Sequence, residues 1–229
     1  MNAKIPILHV EGPDDVFVVG GLLSRHGVDT KKGTQHLQIK SRGGDDRVLS
    51  FITEAIAAAT DREVGFVIDI DTELHSRWDA VCQRVRAAGV QPPRKCPDTG
   101  YIDRVPDYPY KFGIWLMPDC NSDHCKIEHL TQTLIPSGDL LLAHARSATT
   151  AAAAIIDTSN AAIENIDLQH KRFRDVDKVK SEIYAWLAWQ PRPGIPLGGA
   201  ISAEILRHDS PEAIAFLKWL SDLYSFTYS

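Results

Sequence analysis

The chain has 229 residues, 44% hydrophobic and 24% charged, with a net charge of −5 and a pI near 6.0. That length fits one large domain or a domain with an extension, the balance is that of a soluble globular protein, and the acidity argues against a large basic nucleic-acid surface while leaving room for a local patch. No apolar run approaches the roughly 20 residues of a membrane helix, and Met1-Asn2-Ala3-Lys4 leads straight into a predicted strand with no room for a signal peptide, so a cytoplasmic protein without a membrane partner is expected.

The first half alternates. Short apolar runs at Ile5–Val10, His36–Lys40, Val64–Ile68 and Phe112–Met117 read as strands buried on both faces. Helical spacing separates them: Val16, Val19, Leu22 and Leu23, then Val48, Phe51, Ile52 and Ile56, then Leu74, Trp78, Val81 and Val85. Gly27 and Gly89 stand where the first and third of these helices should stop. The order predicts an α/β fold, a mainly parallel sheet of about four strands flanked by helices. Its functional crevice should lie beyond the carboxyl ends of the strands. The proline-rich piece over 91–110 breaks the rhythm and reads as an insertion, a loop or a short hairpin beside the site.

A helix is expected over Lys126–Leu134, and the rest of the chain is mostly helical in pattern. Ala151–Ala154 favours helix, Val176–Trp189 is amphipathic, and Gln190–Gly199 reads as a loop. Ile201–Leu206 and Ile214–Leu223 read as short helices, the second opened by Ser210-Pro211-Glu212. The expected organisation is an α/β domain over 1–135 and a helical extension over 136–229, packed as one unit with it. Trp186 and Trp189 share a helical face, where core packing outweighs base stacking.

Two strand ends carry acids. The first runs into Glu11-Gly12-Pro13-Asp14-Asp15, the third into Asp69-Ile70-Asp71. Clustered carboxylates repel one another and are costly to desolvate unless a cation sits among them, so the pair suggests a divalent metal. Asp69 and Asp71, two apart, face the same side in extended backbone and can reach one ion. Asp119, after the fourth strand, and Glu128, in the helix beyond, are candidates for a second ion. Ser41-Arg42-Gly43-Gly44 opens the second helix, where Gly43 and Gly44 could bring backbone N–H groups to a phosphate and Arg42 could add a guanidinium. An ordinary glycine turn serves equally well as a reading. The four cysteines, Cys82, Cys96, Cys120 and Cys125, lack paired Cys-x-x-Cys spacing. Free thiols are expected over a zinc site that would also draw on His124 and His129. The basic runs Lys31-Lys32, Lys40 with Arg42, Arg94-Lys95 and Lys171-Arg172-Phe173-Arg174 read as solvated surface.

A Glu-Gly-x-x-Asp turn after the first strand, with Asp-x-Asp closing a later one, resembles the TOPRIM (topoisomerase–primase) domain over roughly Lys4–Leu134. The resemblance is to small stand-alone bacterial TOPRIM-like proteins and more distantly to the OLD-family nucleases. Pro118-Asp119 and the late Trp186-Leu187-Ala188-Trp189-Gln190 stretch add a looser likeness. It implies a small parallel sheet between helices, with Glu11 as acid/base or metal-associated group and Asp69 and Asp71 on Mg²⁺ or Mn²⁺. It also implies phosphoryl chemistry on DNA or RNA, foremost phosphodiester cleavage. Two alternatives stand beside the nuclease. One is a non-catalytic, metal-dependent nucleic-acid-binding or regulatory module of a defence or repair system, with a partner protein or a second copy. The other is a hydrolase of nucleotides or small phosphate esters.

Overall fold

The computed structural model describes residues 4–30, 36–71, 73–120, 125–163 and 177–228. Contacts divide the chain into two units, 1–134 with 196–229, and 135–195.

The first unit is α/β. Its elements are β1 (Ile7–Val10), α1 (Pro13–Arg25), β2 (Gln38–Ser41), α2 (Asp45–Ala58), β3 (Val64–Asp69), α3 (Leu74–Ala87), β4 (Tyr101–Arg104), β5 (Lys111–Met117) and α4 (Ile127–Thr133). The sheet order is β2-β1-β3-β5-β4. β1 pairs in parallel with β2 and β3, and β3 with β5. The expected parallel strands are therefore present, and a fifth joins them. β4 lies inside the proline-rich insertion and pairs antiparallel with β5, Tyr101 opposite Ile114 and Arg104 opposite Lys111. Its Tyr-Ile-Asp-Arg sequence has no apolar run, because it forms an edge and buries little beyond Tyr101.

Strand alternation sends successive side chains to opposite faces. On one face the His9 ring meets Phe51 of α2 at 5.2 Å and Phe66 of β3 at 5.3 Å. The opposite face is covered by the last helix, α8 (Pro211–Tyr224). Gly65 and Gly113 pair in register, and their missing Cβ atoms open a flat strip there. A Cβ on Gly113 would sit 2.8 Å from Leu223 Cδ2 and 2.9 Å from Trp219 Cζ2. The buried Phe216, Leu217, Trp219, Leu220 and Leu223 line this helix. Each such side chain contributes about 1.5–3 kcal/mol on burial. Ser210 caps the helix, its Oγ accepting from Ala213 N–H at 3.1 Å.

The chain after 196 thus belongs with the sheet, which corrects the single extension expected over 136–229. The short helix before α8 also differs: α7 covers Leu197–Ser202, starting within the stretch expected as a loop and overlapping only the first two residues of Ile201–Leu206. Its Gly198 lies against the backbone carbonyl of Phe17, an approach only a residue without a side chain permits.

The second unit pairs α5 (Leu140–Ala161) with α6 (Lys178–Ala188). Asp139 Oδ1 accepts from Leu142 N–H at 2.7 Å, capping α5, and from buried Trp186 Nε1–H at 3.1 Å. Arg146 and the buried Glu182 add an ion pair at 3.5 Å. Trp189 is half-exposed against the His144 ring. The run Lys171-Arg172-Phe173-Arg174 lies outside the described residues, as do Lys31-Lys32 and His124. Among the described residues no helix is long and apolar enough to cross a membrane.

Candidate functional site

β1 and β3 are parallel neighbours, so their exits lie side by side. Glu11 follows β1 and Asp69 closes β3. The two meet: Asp69 N–H donates to Glu11 Oε1 at 2.8 Å. Asp69 Oδ1 in turn accepts from Ile127 N–H, the first amide of α4, at 3.0 Å. Ile70 N–H reaches the carbonyl of Cys125 at 2.7 Å. Three segments distant in sequence are knitted together at one end of the sheet.

More acids crowd around this contact. Asp15, 6% exposed, accepts from Gly12 N–H at 2.6 Å. Glu128, 5% exposed, bears electrostatically on Asp69. Burial pushes the Glu11 carboxyl up to about 8, against the pull of the Asp69 N–H bond, and the charges of Asp71, Asp15 and Asp45 raise it further. Burial likewise holds Asp69 well above the usual carboxylate range, helped by Glu11, Asp15, Glu128 and Asp71. Acids that share a desolvated site cannot all ionise unless a cation enters. Asp119, half-buried after β5, bears electrostatically on the Cys120 thiol.

Asp71 is held differently. Its Oδ2 is 3.1 Å from Arg77 Nη2 and its Oδ1 3.1 Å from Lys126 Nζ. Arg77, 8% exposed, also reaches Asp45 Oδ2 at 3.3 Å. Sequence reading singled out none of Arg77, Lys126 and Asp45. A signal was present: Arg77 lies in the first turns of α3 and Lys126 is the N-cap of α4. Cations there oppose the helix dipole and call for acids close by.

The donors suit a hard divalent cation, since they are carboxylate oxygens gathered where ionisation is costly. The arrangement is less complete. Among the described residues no three of His, Cys, Asp and Glu are placed to hold a metal ion. Asp71, expected as a ligand, gives both oxygens to Arg77 and Lys126.

The glycine turn is bonded to the β1 exit. Gly43 and Gly44 N–H both donate to the Glu11 carbonyl, at 2.8 and 3.0 Å. With φ of 81° and 134°, both residues have a backbone that suits glycine. Arg42 is committed elsewhere: its Nε–H donates to His9 Nδ1 at 3.0 Å and its guanidinium lies 3.5 Å over the Phe51 ring. The turn orients Glu11, so the Gly43 and Gly44 amides and the Arg42 guanidinium, expected at a phosphate, are engaged within the protein in this structure. His129 Nδ1 accepts from Lys126 N–H at 3.1 Å and so caps α4. All four cysteines are free thiols, Cys82, Cys120 and Cys125 buried and Cys96 half-buried.

No curated protein and no solved structure matches the chain. The family model described as Protein of unknown function (DUF3226) matches residues 5–225, almost the full length, and the chain belongs to that family.

Proposed function

We propose that this chain is a TOPRIM-like, divalent-cation-dependent phosphoryl-transfer protein that acts on nucleic acid, in its simplest form a nuclease. The contact between Glu11 and Asp69 carries the reading: two acids from adjacent parallel strands share one crevice, where burial raises both carboxyls and the charge of Glu11 raises Asp69 further. Parallel pairing of β2, β1, β3 and β5, with acids at the exits of β1 and β3, supports the resemblance. Glu11 and Asp69 would hold Mg²⁺ or Mn²⁺, with Glu128 beside them. Bound there, the ion would stabilise charge on a phosphate and lower the pKa of a coordinated water.

The protein's own groups have separable tasks. Asp69 N–H and the Gly43 and Gly44 amides fix Glu11 from two sides. Glu11, raised to about 8, holds a proton at neutral pH that a bound cation would displace, leaving a carboxylate to hold the ion or to take a proton from its water. Arg77 and Lys126 pair with Asp71 and supply positive charge next to the acids.

One observation favours a second reading, a non-catalytic binding or regulatory module. The pairing of Asp71 with Arg77 and Lys126 already balances part of the site without any ion. The same experiment separates the two. Full-length protein is titrated with Mn²⁺ by calorimetry and incubated with Mg²⁺ or Mn²⁺ and single-stranded DNA, duplex DNA, structured RNA or nucleotides. Cleavage of a polymer is expected, with Asp69→Asn and Glu11→Gln reducing it by about 100-fold or more, at or beyond the range for losing a group that only supports a metal ligand. Metal-dependent binding without turnover would establish the module, and no Mn²⁺ binding at millimolar concentration would sink both.

A further inference from the structure

A second feature lies apart from the acids, in the proline-rich insertion. A cavity of about 470 Å³ is lined by Leu74, Trp78, Arg94, Lys95, Cys96 and Cys120, among others. Cys96 is half-buried and follows Arg94 and Lys95 directly. Partial exposure admits an oxidant to that thiol, which full burial would deny it. Cys120 is buried in the same wall, and the Cys96 thiol bears electrostatically on it.

The setting of Cys120 is unusual in two respects. Its φ is 58°, left-handed backbone that a non-glycine residue seldom adopts and that the surroundings must hold in place. Its sulfur accepts from Leu116 N–H at 3.2 Å, a bond that stabilises developing negative charge on the sulfur. Burial raises the Cys120 thiol, which keeps it protonated until a partner is activated. The arrangement gives each thiol a role, one accessible and one in reserve. Neither sulfur takes part in the proposed phosphoryl chemistry.

We propose that Cys96 and Cys120 form a peroxide-responsive dithiol that closes to a disulfide, tying the proline-rich insertion to the exit of β5. The Cys96 thiolate attacks one oxygen of a hydroperoxide; the O–O bond breaks, and the leaving oxygen departs as water or an alcohol after taking up a proton. Cys96 is then a sulfenic acid. The Cys120 sulfur attacks the Cys96 sulfur, the S–O bond breaks, and the released hydroxide takes the Cys120 proton to form a second water. The two thiols have lost two electrons to the peroxide. The link would join the insertion to the chain immediately before 121–124, the stretch leading to Cys125, Lys126 and Glu128 at the acidic crevice.

The test uses the full chain, reduced, desalted and treated with hydrogen peroxide. Alkylation and intact mass should show free thiols falling from four to two. A non-reducing tryptic digest should join peptides 96–104 and 112–126 within one chain. Because 112–126 carries both Cys120 and Cys125, the link should persist in Cys125→Ser and vanish in Cys120→Ser and Cys96→Ser. Melting curves of the three variants verify that each is folded. If Cys120→Ser does not fold, fragmentation of the linked wild-type peptides locates the bridge instead. Sulfinic or sulfonic acid at Cys96 without a cross-link, a bridge to Cys82 or Cys125, or four unaltered thiols would each overturn the proposal.

Discussion

His9 and Glu11 stand two residues apart on one stretch of chain, and burial drives them in opposite directions. The His9 imidazole falls to about 3 and the Glu11 carboxyl rises to about 8. The primary cause is common to both, because low-dielectric surroundings disfavour whichever form is charged. The neighbours differ in what they leave behind. Around His9, Arg42 and Lys40 add repulsion to a protonated ring, and the neutral ring is useful as it stands: it accepts from Arg42, which lies over Phe51. That cluster is complete. Around Glu11 the neighbours are acids, and ionisation there leaves like charges facing one another. That cluster is completed by a proton or a cation, which is why the second region carries the functional reading and the first does not.

The largest effect that would sharpen this contrast is on stability against pH. Glu11 binds its proton more tightly when folded, so it stabilises fully below its ordinary value of 4.5, and that contribution is lost as pH rises to about 8. His9 is the reverse: the unfolded chain takes up a proton below 6.5 that the folded chain refuses until about 3, so stability falls as pH drops through that window. In cation-free buffer, the unfolding free energy from urea titration should decline from pH 5 to 8 in the wild type and more shallowly in Glu11→Gln, a difference on the order of a few kcal/mol. His9→Gln should remove the acid-side loss. Identical profiles in wild type and Glu11→Gln would break the comparison.

Smaller effects come from the cations. Arg77→Ala leaves Asp71 and Asp45 facing the acids with less compensation. Since both acids are partly exposed, the expected loss is about 1–3 kcal/mol, below that of a fully buried pair. Added Mg²⁺ should recover part of it, whereas Arg42→Ala should destabilise without any recovery by Mg²⁺. Recovery in Arg42→Ala would mean that the two clusters are not independent. The smallest change is Phe51→Leu, which removes the ring beneath Arg42 and should lower stability by about 0.5–1 kcal/mol beyond the packing lost. Divalent binding should be unchanged in that variant, as measured by the same Mn²⁺ titration.

Much of the α/β unit was legible because its strands are buried on both faces and so spell continuous apolar runs. Ile7–Val10, Val64–Asp69 and Lys111–Met117 are such runs, and the acids at their ends mark where the crevice must be. β4 was not legible, since an edge strand with polar residues carries no hydrophobic period. Nor was α7, whose Gly198 and Gly199 signal a turn in sequence and permit close packing in space.

Within the site the same division holds. Sequence alone determined the kinds of group available, Glu11 with Asp69 and Asp71, because strand order and chain direction put strand ends together wherever parallel strands pair. Only the tertiary structure decided their partners. Asp71 went to Arg77 and Lys126, the Gly43 and Gly44 amides to the Glu11 carbonyl, and Arg42 to His9. Those choices rest on distances of about 3 Å between segments far apart in the chain, and no local pattern encodes them, since any acid near a surface can find a cation.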